Sequence, residues 1–79
     1  MYTEAQVNEL NQDLPEHGHI EWIEGRGWSS QLWRDLYKQG VRSRVSPAGF
    51  VTAIDANGVE MASGLGRVNM LASLARLMR

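Results

Sequence analysis

The chain has 79 residues, 43% hydrophobic and 22% charged, with a formal net charge of −1 and no cysteine. That size predicts one domain, residues 1–79, close to the lower limit at which a chain without disulfides or metals buries enough surface to fold. Disulfide scaffolding, thiol catalysis and thiolate zinc sites are excluded. No run approaches the ~18 apolar residues of a membrane span, and the acidic start is unlike a signal peptide, so a cytoplasmic protein is expected.

The small net charge hides an asymmetry. Residues 1–24 carry six acids and no base, whereas residues 25–79 carry eight bases against three acids. Such a separation either makes the molecule a dipole that meets charged partners or is cancelled by packing the two segments together. The second outcome is the expected one.

Thr3-Glu4-Ala5-Gln6 has the form of a capping box, with Tyr2 and Val7 placed as a hydrophobic staple. Val7, Leu10 and Leu14 continue as a narrow apolar stripe, and Pro15 stops the helix at or before Leu14. After a turn over residues 15–18, residues 19–24 read as a short strand that Gly25-Arg26-Gly27 breaks. Alternation puts Ile20 and Trp22 on one face and Ile23 on the other, as in a bulged or doubly covered strand. Ser29 or Ser30 can cap a helix over residues 31–39, with Leu32, Trp33, Leu36 and Tyr37 on its buried edge and Gly40 just past its end.

Residues 41–46 alternate, with Val41, Ser43 and Val45 on one face and Arg42, Arg44 and Ser46 on the other. A loop over residues 46–49 leads to a strand over residues 50–55, with Phe50, Thr52 and Ile54 facing one way. Asn57-Gly58 is a strong hairpin signal, because both residues tolerate positive φ, and residues 59–62 return. A three-stranded antiparallel meander over about residues 41–63 follows. From Arg67, the positions Val68, Leu71, Leu74, Ala75, Leu77 and Met78 recur at helical spacing, with Met70 widening the stripe. Arg76 and Arg79 suit the negative end of that helix. The predicted class is therefore α+β: N-terminal helix, short strand, helix, three-stranded meander, and a C-terminal helix packed on the sheet.

Few residues suggest chemistry. If residues 17–21 are extended, His17, His19 and Glu21 share a face and resemble a two-histidine, one-carboxylate metal set. The same histidines flank a glycine in a turn, and that reading is preferred, so no metal or other cofactor is expected. The glycines of Ser63-Gly64-Leu65-Gly66-Arg67 precede a helix, where free amides and Arg67 can hold a phosphate. The segment lacks the Lys-Ser/Thr pair of a P-loop and the third glycine of a dinucleotide fingerprint, so a tight turn that needs positive φ is preferred. No nucleophile elbow is present and the chain has little room for a water-excluding pocket, so no enzyme is expected. The best contact candidates are Arg42 and Arg44 on one strand face, together with Arg67. Of the three tryptophans, Trp28 is a candidate interface anchor.

Three resemblances bear on these residues. Gly40-Val41-Arg42-Ser43-Arg44 followed by Phe50-Val51-Thr52-Ala53-Ile54 looks like the first two strands of the APETALA2-type DNA-binding domain, in which strand arginines read the major groove. Phe50 stands where that family usually has tryptophan. The order of helix, three strands, Ser63-Gly64-Leu65-Gly66 and helix also looks like a double-stranded-RNA-binding domain, with Val68-Asn69-Met70-Leu71 in place of its lysines. Taken whole, the chain resembles the small anti-CRISPR proteins of phages and mobile elements. These are single cysteine-poor domains with uneven charge, and at least one of them enters its final helix through a step similar to Ser63–Val68. That resemblance implies a non-catalytic inhibitor that binds a CRISPR-Cas effector in the bacterial host and blocks target DNA binding or cleavage, with Arg42, Arg44, Arg67 and Trp28 as contacts. The alternative is a small DNA-binding module using the basic face of residues 41–46. Either could work as a homodimer.

Overall fold

A computed structural model describes residues 2–78. Among these residues are three α-helices, α1 (Glu4–Asn11), α2 (Gln31–Lys38) and α3 (Arg67–Arg76), and a 3-10 turn (Glu16–Gly18). There are five strands: β1 (Ile20–Ile23), β2 (Gly27–Ser30), β3 (Arg42–Val45), β4 (Phe50–Ile54) and β5 (Glu60–Leu65). The strands form a β1-β2 hairpin and a separate meander in the order β3-β4-β5, all antiparallel. The architecture is the expected α+β class with one added strand.

The predicted capping box opens α1. The Thr3 hydroxyl accepts from the Gln6 amide (3.2 Å), and the Gln6 side chain accepts from the Thr3 amide (2.8 Å). Val7 and Leu14 are buried and Leu10 packs against them, as the stripe requires. Eight residues are too few for a stable isolated helix, and a second device ties α1 down. Asn11 donates to the Ile20 carbonyl (2.9 Å) and accepts from the Ile20 amide (2.7 Å), so its amide group acts as a short extra strand beside β1.

The single strand expected over residues 19–24 is instead the first half of a hairpin. Gly25 makes the turn, and Gly27–Ser30 returns as β2, with Trp22 opposite Trp28. The two indoles pack edge to face, 5.2 Å between centroids, a cross-strand aromatic pair of the kind that stabilises antiparallel ladders. Ser30 then caps α2, accepting from the Trp33 amide (3.1 Å). At the far end, the Val41 amide bonds the Leu36 carbonyl (3.0 Å) and the Gly40 amide bonds that of Tyr37 (3.1 Å), a Schellman closure with Val41 buried.

In the meander, Ser43 pairs with Ala53 and Ala53 with Ala62, while Val45 pairs with Val51 and Val51 with Gly64. These rows face α3, where Val51 and Ala53 are buried. The β4-β5 ladder slips after Ala53, leaving Met61 as an extra residue. The Asn57-Gly58 turn is present, but only Gly58 has positive φ (82°). Asp55 bonds Val59 through the backbone and its carboxylate accepts from the Asn57 and Val59 amides. The loop is thus the three-residue form, a turn followed by one left-handed glycine, in place of a two-residue turn with both residues left-handed.

Helix α3 is buried on several sides, with Val68, Met70, Leu71, Ala72, Leu74 and Ala75 all inside. The meander covers one side of it. The 3-10 turn and the β1-β2 hairpin cover another. Leu77 and Met78, expected in the stripe, lie past the helix end and are exposed, and Arg79 lies outside the described residues. No helix among the described residues is long and apolar enough to cross a membrane.

Candidate functional site

The meander has α3 on one face only. The other face carries the rows Arg42–Ile54–Glu60, Arg44–Thr52–Ser63 and Phe50–Leu65, the side chains that cross-strand alternation turns away from the helix. A solvated antiparallel face is ordinarily polar. Here two large apolar residues stand directly opposite each other in the open, Phe50 49% and Leu65 56% exposed. Arg44 reaches Glu60 (2.9 Å) beside them, with both partners well exposed. Arg42 is held by α2, because its Nη1 donates to the Tyr37 and Val41 carbonyls (2.8 Å each) and its guanidinium lies 3.8 Å from the Tyr37 ring centre. There it complements the negative end of the helix.

The expected pairing of basic strand and acidic N-terminal segment is limited. Arg34 meets Glu21 (2.9 Å), whereas Arg42 and Arg44 are satisfied by α2 and β5 respectively.

Arg67 and Trp28 are brought together. The Arg67 Nε donates to the Trp28 carbonyl (2.6 Å), and its guanidinium lies 5.4 Å from the Trp33 ring centre. With the Trp33–Tyr37 contact (6.1 Å) and Arg42 over Tyr37, this makes a continuous cation and aromatic ladder Arg67–Trp33–Tyr37–Arg42. Sequence reading found both ends of the ladder. It did not find the link, which requires α2 to lie between β3 and the start of α3.

Two hollows flank Arg67. One, ≈ 500 Å³, adjoins Leu65 and is lined by Tyr2, Trp28 and Val68. The other, ≈ 460 Å³, is lined by the buried Trp33 and Ser29, by Tyr37, and by the cations Arg26, Arg34, Lys38 and Arg67. Partial burial pushes the Arg67 guanidinium below its usual pKa.

The residues proposed for a metal do not assemble. His17 lies in the 3-10 turn with its Nε2 2.7 Å from Asp35, His19 is 3.0 Å from the Leu14 carbonyl, and Glu21 is taken by Arg34. The segment is a turn, not the extended strand that would align the three. Among the described residues no group of three such ligands gathers elsewhere.

The glycines before α3 divide their work. Gly66 has positive φ (82°) and precedes the helix, as the turn reading requires. Gly64 is inside β5, where the backbone of α3 passes so close that a Cβ would stand 2.5 Å from the Asn69 carbonyl carbon. Comparison of the chain with protein-family models, curated proteins and solved structures finds no match.

Proposed function

We propose that this protein is a small non-catalytic inhibitor that docks on a host protein complex, the outward face of the meander being its contact surface. The observation that carries this reading is the exposed Phe50–Leu65 pair, continuous with the hollow lined by Tyr2 and Trp28 and bordered by Arg42, Arg44 and Glu60. An apolar centre with aromatic and arginine neighbours and a polar rim is the composition of a protein interface. The hollow gives a partner's apolar side chain somewhere to insert. The same face is poorly suited to duplex DNA, because Glu60 stands among the arginines that would approach phosphates.

The similarity of Ser63–Val68 to the helix entry of an anti-CRISPR protein makes a CRISPR-Cas effector the specific partner to test. Purified CRISPR-Cas effector complexes of several types are mixed with the protein and target DNA, and DNA binding and cleavage are followed. Stoichiometric loss of DNA binding or cleavage is expected, with no mobility shift of naked duplex by the protein alone. A duplex shift that is abolished by Arg42→Glu identifies a DNA-binding module instead. Unimpaired effectors remove the anti-CRISPR reading.

A further inference from the structure

The second hollow, between β2, α2 and the start of α3, lies off the sheet rows and shares only Arg67 with the first hollow. None of its lining residues belongs to the rows that carry Phe50 and Leu65. Four cations border it and no acid does. Arg34 is matched by Glu21, but Arg26 and Lys38 make no salt bridge among the described residues. Arg67 spends its Nε on the Trp28 carbonyl, and its terminal nitrogens have no hydrogen-bond partner among the described residues. A half-buried guanidinium has lost part of its hydration, and its free fork is the geometry that receives an oxyanion through two parallel bonds.

We infer that this hollow binds a nucleoside phosphate, with the phosphate held by Arg67, Arg26 and Lys38 and the base lying beside Tyr37. Three observations select that ligand class. Three cations outside any salt bridge around one small recess, with Asp35 near enough to Lys38 to feel its charge, suit a phosphate monoester, which carries about −1.5 to −2 charge, better than single carboxylates. Tyr37 is the lining aromatic that stays partly open, 48% exposed with Arg42 over one ring face, against 5% for Trp33, and aromatic rings beside cations hold a base and its phosphate together. The volume of ≈ 460 Å³ lies within the roughly 300–1,000 Å³ of small-ligand sites and is concave, unlike a platform for a duplex.

Calorimetric titration of the full chain with adenosine monophosphate, 5′-phosphorylated hexathymidylate, inorganic phosphate and hexaglutamate tests the inference. At about 50 mM salt both nucleotide probes should bind, with affinity falling as salt rises because the contacts join opposite charges. Equal affinity for the two nucleotides assigns a free nucleotide, and tighter binding of the hexamer assigns a strand end. Arg67→Gln should weaken binding about tenfold, the equivalent of ~1.4 kcal/mol. Because Arg67 also braces Trp28, the exposed Lys38→Glu is the second variant, and it should weaken binding while leaving the circular dichroism spectrum unchanged. No nucleotide binding, binding indifferent to Lys38→Glu, inorganic phosphate as tight as the mononucleotide, or hexaglutamate as tight as the hexamer would each overturn the assignment. Phe50→Asp should leave nucleotide binding intact, so loss of the docking reading and loss of this one are told apart.

Discussion

A methyl group at Gly64 would stand 2.5 Å from the carbonyl carbon of Asn69 and 2.7 Å from the amide nitrogen of Met70. Backbone cannot rotate aside as a side chain can, so Gly64→Ala must push α3 off β5. Overpacking of this kind costs about 1–3 kcal/mol. In a domain of this size each kcal/mol lowers the melting temperature by roughly 4–8 °C, so a thermal scan should find a fall of about 10 °C. Asp35 gives a prediction of a different kind. Its carboxylate accepts from Gln31 (2.9 Å) and lies 2.7 Å from His17, contacts that, in that order, hold its pKa below the ordinary 3.8. A carboxylate with a lowered folded-state pKa stabilises the native form fully above its unfolded value and loses that contribution as pH falls through the folded value. Urea midpoints of wild type and Asp35→Asn should therefore differ most above about pH 4 and converge below it. A difference that persists unchanged at lower pH would assign the effect to packing.

Two devices hold the eight-residue helix α1, and they separate what a sequence reading can reach from what it cannot. The capping box joins Thr3 to Gln6 within one turn, and Thr3→Ala should cost about 1 kcal/mol. The Asn11 clamp joins residues nine apart across the 3-10 turn and its flanks, and nothing in the order of side chains marks it. Asn11→Ala removes both of its bonds and leaves the Ile20 backbone without those partners, a loss of about 1–3 kcal/mol. In hydrogen exchange, the α1 amides should open faster in either variant, and β1 faster only in Asn11→Ala. The same division runs through the other elements. The Ser30 cap, the Gly40 closure and the α3 stripe up to Ala75 were legible because neighbours within a few residues decide them. Strand β2 was not, since Gly-Trp-Ser-Ser has little strand preference and becomes a strand by pairing with β1. Gly64 read as part of a turn, whereas its reason is a helix that returns over it.

Function at the scale of the whole molecule depends on surfaces that no contiguous stretch contains. The ladder from Arg67 to Arg42 draws on α3, α2 and β3, and the nucleotide hollow adds Arg26 from the hairpin tip. Reading the residue types was enough to nominate Arg42, Arg44, Arg67 and Trp28. It could not foresee that the first two would be held by α2 and Glu60, or that Phe50 would stand beside Leu65 in the open. That last juxtaposition allows a test in which adjacent residues on β4 report opposite things. Phe50 faces away from α3 and Val51 faces into it, 7% exposed. An aspartate at the outward position remains hydrated, but it gives up the cross-strand pair with Leu65 and a strand-favouring ring, together roughly 1–2 kcal/mol. Phe50→Asp should therefore still melt cooperatively, roughly 5–15 °C below wild type, and lose partner binding, since it places a charge at the apolar centre of the contact. Val51→Asp buries an unpaired carboxylate, whose desolvation costs several kcal/mol, and should not fold at all. Calorimetric melting and effector inhibition, measured on both variants, distinguish a docking face from a face that merely contributes to the fold. Full inhibition by folded Phe50→Asp would move the contact off the sheet. Loss of inhibition with cooperative melting preserved would place the partner on it, because an unfolded protein would have lost both.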